Sequence, residues 1–503
     1  MHDIALWTPY EISQATGGRW LIAPPADWAP RRVSYDVSGN MKDHICVLVH
    51  PSSWGRSRAD ASGAIPRLAR QGAAAILVQK DHLLSVRASL GRLPASLPVC
   101  LVENTWTALR DMAHIARMRH GGKVFAVTGT VGKTTTREMI RHMAAGQGGA
   151  TASAANNNNI SGVHRTLASA GRSDAACVVE MGFGKPLDGV ERSSRIAQPD
   201  VALLMTLDVA HFDMFSPEML AKADGLELLL RCKSGIFSGL APGGAAVING
   251  DLPNFPLARA LAARRTQRIH TFGTELHHDA CPLAIESDIS ATRARVRVLG
   301  RTFDLLLKVP GRHMVMNALG ALLALGVAGF DLDKAVSDLA EFTPVGGRAR
   351  VFEADVGDGR RVTVVDDSFN ATLASVRSCL DLLALARPRP GGRRIAVLGE
   401  IGHVGAREEA EHRALSEAVV RSGADTVFSW GPLMRALHDA LPASLRGAHE
   451  DVSVEDLYAH VFSALQDGDV VVVKSGRGQN GLGDIRFRKF VSHLREGRPA
   501  LEL

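Results

Sequence analysis

The sequence predicts an α/β protein in which parallel sheets are flanked by helices and the chain divides into three domains. Three observations predict it. Short aliphatic runs alternate with longer helical patterns along almost the whole chain. The 503 residues amount to about three domains at ~150 residues each. An apolar run at 124–128 passes through glycines into a helical pattern, the arrangement of a phosphate-binding loop.

Taken in order, strands are expected at 46–49, 74–78, 124–128, 177–181, 201–206, 245–249, 362–365, 395–398 and 470–473. Two extended runs within 294–309 flank Gly300-Arg301 and read as a hairpin. A polar helical stretch at 104–119 ends in His120-Gly121-Gly122, and Thr343-Pro344-Val345-Gly346-Gly347 separates a helix from a strand. These breaks divide the chain into 1–120, 121–343 and 344–503. The longest apolar run, 318–330, has thirteen residues and three glycines. A membrane span needs ~20, so a buried helix is expected there. At 485–498, Phe487, Phe490, Val491 and Leu494 recur among arginines. An amphipathic helix packed on the last domain is the preferred reading, with a membrane-surface helix as the alternative.

Composition excludes wholesale disorder: 46% of residues are hydrophobic and 22% charged. Lys plus Arg outnumber Asp plus Glu by 58 to 52, and the net charge of +6 suits anionic small molecules. No run of five basic residues suggests a nucleic-acid partner. Six cysteines lie far apart without Cys-x-x-Cys spacing, as expected of thiols in a reducing compartment. With neither a signal-peptide pattern nor a transmembrane segment, a cytoplasmic protein is expected, and a monomer.

The sharpest motif is Gly129-Thr130-Val131-Gly132-Lys133-Thr134-Thr135. Glycines let backbone N–H groups curl around phosphate oxygens, and the following helix N-terminus adds a favourable dipole. Lys133 reaches the terminal phosphates and the Thr134 hydroxyl suits Mg²⁺. Position 127 is Val, where a strict Walker A motif has Gly. An ATP or GTP site follows. Asn-Lys-x-Asp, which a regulatory GTPase uses to read its base, is absent, while a small-molecule kinase stays open.

Further along, the chain resembles the Mur ligases, ATP-dependent amide-forming enzymes of peptidoglycan precursor synthesis. The likeness rests on the loop at 128–135, on Asn156-Asn157-Asn158-Asn159 through Gly162, and on Glu180-Met181-Gly182. It continues through Ala210-His211-Phe212-Asp213, Pro310-Gly311-Arg312-His313 with Asn317-Ala318, and Asp366-Asp367-Ser368-Phe369-Asn370-Ala371. Ala396 to Glu400 and Lys474-Ser475-Gly476-Arg477 complete it, so 120–480 is covered in order.

The resemblance implies a central ATP-binding P-loop domain with helices on both sheet faces, a Rossmann-like C-terminal domain closing over ATP and binding the amine, and a smaller α/β N-terminal domain binding a UDP-sugar-type acyl substrate. It is greatest to the branch adding D-alanyl-D-alanine to UDP-N-acetylmuramoyl-tripeptide. Two Mg²⁺ ions are implied, with Thr134, Glu180 and His211 as ligands. Glu180 also ends an apolar strand, where its carboxylate faces the crevice beyond the sheet. A carbamylated lysine is implied as well. Lys233 is favoured over Lys222, because seven residues are about two helical turns and keep it on nearly the same face of one long helix. The remaining roles also come from the resemblance. Gly129, Gly132, Lys133, Thr134, Thr135, Asn317, Arg348, Asp366 and Asp367 would bind ATP. Asn156, Asn158, Asn159, Asn370, Lys474 and Arg477 would contact the anionic acyl substrate or the amine. Lys133, Lys233, His211 and Arg348 would act in catalysis. His412 is read as structural.

Several residues depart from the family pattern. Gly235 stands for a usual Glu, Met314 for an Asn, Thr372-Leu373 for Asn-Pro, and Ser475-Gly476 for Gly-Ser. In the first domain, Asp36-Val37-Ser38 and the segment 50–55 replace the family's uridine-nucleotide loops. Two alternatives follow: a paralogue joining another carboxylate and amine, and a nucleotide-binding protein that has lost turnover.

Overall fold

The computed structural model of the protein describes residues 5–49, 61–83, 97–154, 157–402, 405–476 and 483–499, and among them three sheets form. The central sheet runs in the order Arg301–Leu307, Thr292–Val298, Ala280–Ser287, Ile269–Phe272, Ala245–Asn249, Val201–Leu204, Lys123–Thr128, Ala176–Glu180, Ala150–Ala152. It is parallel from Ala150–Ala152 through Ala280–Ser287, and the last two strands turn antiparallel. The hairpin turns at Leu299 and Gly300, with φ of 50° and 79°, so Arg301 already opens the next strand. Two consecutive positive φ values match the right-handed strand twist.

Alternation within Lys123–Thr128 shows how the central sheet is covered. Phe125 and Val127 join a core with Met139, Ile140 and Leu319, while Val124 and Ala126 join another with Val163, Leu167 and Val190. Residues two apart share a sheet face, so this strand is buried on both sides by helices. The run 318–330 lies largely in the helix Arg312–Val327, whose residues 317–325 are all buried. Apolar on all sides, that helix fills the space between sheet and neighbours.

The C-terminal sheet runs Arg350–Asp355, Arg361–Asp367, Val470–Lys474, Arg394–Gly399, Thr426–Trp430, Arg446–Glu450, parallel except for its first pair. Its last helix, Gly483–Arg495, buries Phe487, Phe490, Val491 and Leu494 against this sheet, which bears out the packed reading of 485–498. The N-terminal sheet runs Arg19–Ile22, Val99–Val102, Ala75–Gln79, His44–Val47, Arg32–Ser34. The segment 50–55 lies outside the described residues.

Specific contacts join the sheets. The Trp7 indole donates to the Ala168 carbonyl at 2.8 Å, and Arg172 donates to both Glu11 oxygens at 2.6 and 2.5 Å. The Ser169 hydroxyl accepts from the Val33 amide at 3.0 Å and donates to the Val33 carbonyl at 3.2 Å. On the other side, the Ala374 amide donates to Asp208 Oδ2 at 2.6 Å, and Val209 packs on the C-terminal core.

One expectation is corrected. The stretch before Lys233 is not one long helix but two, Pro217–Lys222 and Gly225–Ser234. Ala223 is extended, and the Asp224 carboxylate accepts from Leu226 and Glu227 at 3.0 and 3.1 Å, starting a new helix.

Candidate active site

The phosphate loop links the central strand Lys123–Thr128 to the helix Lys133–Ala145. Its shape depends on glycine at two points. Gly129 has φ of 151° and a Cβ there would lie 2.8 Å from Met205 Cβ. Gly132 has φ of 85°, and a Cβ would meet Asn317 Oδ1 at 2.4 Å. The loop is pinned to the next strand end, since Thr130 N donates to the Thr206 carbonyl at 2.7 Å.

A cavity of about 300 Å³ opens beside this loop, between the central and C-terminal sheets. Lys133, Thr134, Thr135, Asn158, Glu180, His211, Lys233, Asn317, Arg348, Asp367, Asn370 and Lys474 all line it, as the sequence reading expected of site residues. Strand carboxyl ends supply most of the central residues, the usual crevice of an open parallel sheet.

Glu180 is the anionic centre. It is buried to 1% exposure, and its Oε2 accepts from Thr134 Oγ1 at 2.8 Å and from Arg137 Nη1 at 2.9 Å. Oε1 accepts from Asn158 Nδ2 at 2.9 Å, and the Glu180 amide donates to Ser153 Oγ at 3.0 Å. A buried carboxylate with this many donors is held in one orientation. Thr134 and Glu180 place two hard oxygens side by side next to Lys133, which fits Mg²⁺. Among the described residues no group of three or more His, Cys, Asp or Glu converges. His211 opens the turn Phe212–Met214 in the left-handed region, φ 63°, with its ring edge-on to Phe183 at 6.0 Å.

Two lysines face this carboxylate. Lys133 Nζ donates to the Thr130 carbonyl at 2.9 Å, and burial lowers its pKa, with Glu180 opposing. Lys233 is 1% exposed, donates to the Gly129 carbonyl at 2.8 Å and lies 5.5 Å over the Phe183 ring. Burial, then the charge of Lys133, drive its pKa well below the ordinary 10.5. Lys222 is exposed, and of the two lysines Lys233 is the one in the cavity. Gly235 leaves no room for the family's Glu: a Cβ there would sit 2.9 Å from Glu191 Cβ.

The C-terminal sheet supplies the opposite wall. Arg348 stacks on Phe369 at 4.4 Å, and burial lowers its pKa against the pull of Glu180. Lys474 pairs with Asp367 at 2.6 Å, nearly out of water. Thr372 caps the helix Leu373–Leu385 through Ser375, so its place in the pattern serves folding. Ser475 and Gly476 are set by packing. A Cβ on Gly399 would meet Ser475 Oγ at 2.3 Å, and one on Gly476 would meet the Glu400 carbonyl at 2.7 Å.

Some expected site residues have other work. Asp366 does not line the cavity; it accepts from Gly347 N at 3.1 Å and Ser368 Oγ at 2.6 Å, holding the turn that carries Arg348. Asn159 instead caps the helix Ile160–Ala168, accepting from Gly162 N at 2.8 Å. Gly129 contributes its carbonyl and its close approach to Met205 rather than cavity surface. His412 is structural: its Nε2 accepts from Ile401 N at 3.1 Å and its Nδ1 donates to the Glu408 carbonyl at 2.6 Å. Asn156 and Arg477 lie outside the described residues. Arg137, Phe183 and Asp208 were missed. Arg137 stands three residues after Thr134 on one helix, a spacing that puts both on the same face.

The Mur ligase middle-domain model matches residues 127–325, and the Mur ligase glutamate-ligase-domain model matches 347–477. The chain is 26% identical over 427 residues to a UDP-N-acetylmuramoyl-tripeptide–D-alanyl-D-alanine ligase of Bacillus subtilis, spanning 84% of this chain and 86% of that protein. It is 29% identical over 392 residues to the protein of the same name from Escherichia coli, spanning 76% and 78%. The crystal structure of MurF from Acinetobacter baumannii superposes with a TM-score of 0.75 at 21% identity, covering 97% of this chain and 99% of that one. MurF ligase from Thermotoga maritima, in complex with ADP, gives 0.70 at 22% identity, covering 94% and 99%. Two family domains matched in order, on a fold shared from end to end and around a phosphate loop facing a strand-end carboxylate, place this chain in the Mur ligase family.

Proposed function

We propose that the protein is an ATP-dependent ligase that adds D-alanyl-D-alanine to UDP-N-acetylmuramoyl-tripeptide through an acyl phosphate, working as a cytoplasmic monomer. One observation carries the chemistry: Lys133, Lys233 and Arg348 surround a cavity whose anionic centre, Glu180, is already held by Thr134 and Arg137. The names of the relatives carry the choice of substrates.

An oxygen of the substrate carboxylate attacks the γ-phosphorus, the bond to the bridging oxygen breaks, and ADP leaves with that electron pair. The amine nitrogen then attacks the acyl carbon, and phosphate departs with the C–O electron pair as the ammonium proton passes to water. Neither step needs a covalent protein nucleophile; both need alignment and offset charge. Lys133 and Arg348 supply fixed positive charge from opposite walls. Glu180, Thr134 and His211 would hold Mg²⁺, which offsets charge on the phosphoryl oxygens. Asn317 lies against the loop at Gly132, on the side where adenine would rest. Lys233, whose charged form burial and then the charge of Lys133 disfavour, is the group that would take up CO₂ as a carbamate and present an anion to the metal region. Asp367, beside Lys474, would hold the ribose.

Phosphate release measured across UDP-muramoyl-peptides and dipeptides tests this. Release should need both the tripeptide and D-alanyl-D-alanine, and Lys133→Ala should abolish it. Release that ignores the tripeptide but answers to another acid would replace the substrate assignment. ATP binding with no stimulated release under any pair would remove the enzyme reading altogether.

A further inference from the structure

Most of the hydrogen-bonding capacity of Glu180 is taken up by the protein itself. A carboxylate offers about four lone-pair sites. Oε2 accepts from Thr134 Oγ1 and Arg137 Nη1, and Oε1 accepts from Asn158 Nδ2. The capacity left is on Oε1. Among the described residues, Arg137 is the cationic side chain in contact with this carboxylate. The lysines nearby rest on loop carbonyls instead, Lys133 on that of Thr130 and Lys233 on that of Gly129. Arg348 stacks on Phe369 in the opposite wall.

Arg137 is fixed where it stands. Its side chain is 1% exposed, and Nε and Nη2 donate to Glu138 Oε1 at 3.2 and 2.5 Å. Arg141 holds Glu138 in turn, through a bond of 2.7 Å to Oε2. One guanidinium therefore bridges two carboxylates, and its planar fork sets the direction of each bond. Thr134 and Arg137 are three apart on one helix, so a single helix face brings a hydroxyl and a guanidinium to the same oxygen of Glu180.

The charge around the cavity follows the same sense. Lys133 and Arg348 line it, and the other acid lining it among the described residues, Asp367, is paired with Lys474. A divalent cation approaching Glu180 alone would meet a carboxylate already neutralised at 2.9 Å, with further positive charge on both walls. Like charges this close repel strongly where water is excluded. The negative charge of a triphosphate reverses that balance. We infer that Arg137 is a positioning residue: it stands in for a cation on Glu180, holds the carboxylate in one orientation, and keeps divalent metal out until nucleotide phosphates are present. The inference rests on the reading of Glu180 and Thr134 as magnesium ligands and adds the order in which the site fills.

Mn²⁺ titrated into the full chain, with the free ion read by electron paramagnetic resonance, tests this without turnover. In the absence of nucleotide the wild type should show no saturable uptake below about 1 mM, whereas Arg137→Gln should saturate about tenfold lower. Arg137→Lys, which keeps the charge, should behave as wild type. Adding Glu180→Gln to Arg137→Gln should remove the gained site. Wild-type saturation below about 1 mM overturns the inference, as does an Arg137→Gln variant, folded by circular dichroism, that fails to saturate there. A gained site that survives Glu180→Gln overturns it as well. The wild-type titration needs no variant, so it decides even if Arg137→Gln does not fold. Substrate-dependent phosphate release is read separately, so the ligase reading can stand when this inference falls.

Discussion

Arg137 Nη1 donates to Glu180 Oε2 across 2.9 Å, and both side chains are almost wholly out of water. The same guanidinium reaches Glu138, which in turn accepts from Arg141 Nε at 2.7 Å, so a row of alternating charge runs back from the nucleotide cavity along one helix. Glu180 therefore has a fixed partner whether or not a cation is present.

Replacing Arg137 with Leu should leave Glu180 as a buried charge short of its main counter-ion. A loss of about 3–5 kcal/mol in unfolding free energy is expected, the usual cost of breaking a buried pair from one side. Chemical denaturation measures it. A change under about 1 kcal/mol would show that water already screens the pair.

Lys233→Ala should abolish substrate-dependent phosphate release, whereas Lys222→Ala should leave it within about twofold, since Lys222 is exposed. Small carboxylic acids added to the Lys233→Ala variant should restore part of the rate if the missing group is an anion. Equal losses from both substitutions would contradict the assignment.

Lys233 also makes a pH prediction. Its folded pKa lies well below 10.5, so between the two values the unfolded chain holds a proton that the folded chain lacks. Stability from this group accordingly rises with pH. In CO₂-free buffer, the stability of wild type relative to Lys233→Met should improve as the pH rises toward 10. A pH-independent gap between the two would mean that Lys233 stays charged.

Asp208 and the Ala374 amide sit 2.6 Å apart on opposite sides of the domain boundary. Asp208 thus meets the start of a helix packed on the C-terminal sheet, two residues beyond the carbonyl that pins the phosphate loop. Asp208→Ala should cost about 1 kcal/mol of closure and raise the KM for ATP about fivefold, with thermal stability of the separate sheets little altered. Steady-state kinetics beside a melting curve separates the two effects.

Much of this architecture was legible in local pattern. The loop from Gly129, the carboxylate at 180 and the helix Gly483–Arg495 follow from strand, glycine and periodicity signals. What escaped depends on which distant segments meet. Arg137 matters because a strand end 43 residues later lies beside it, and the spacing along its own helix does not announce that. Asp366 and Asp367 show the same limit: neighbours on a strand face opposite ways, and only the surrounding sheet decides which faces the cavity. Two misreadings had visible signals. Asn159 precedes a helix start, and Asp224-Gly225 interrupts one, both as side-chain caps.

The clasp of Trp7, Glu11 and Val33 on residues 168–172 bears on how the ligase can be re-engineered. A chimera exchanging only the first sheet for that of a relative would inherit an unmatched seam. The first sheet is transplantable only if the loop from Ala168 to Arg172 travels with it.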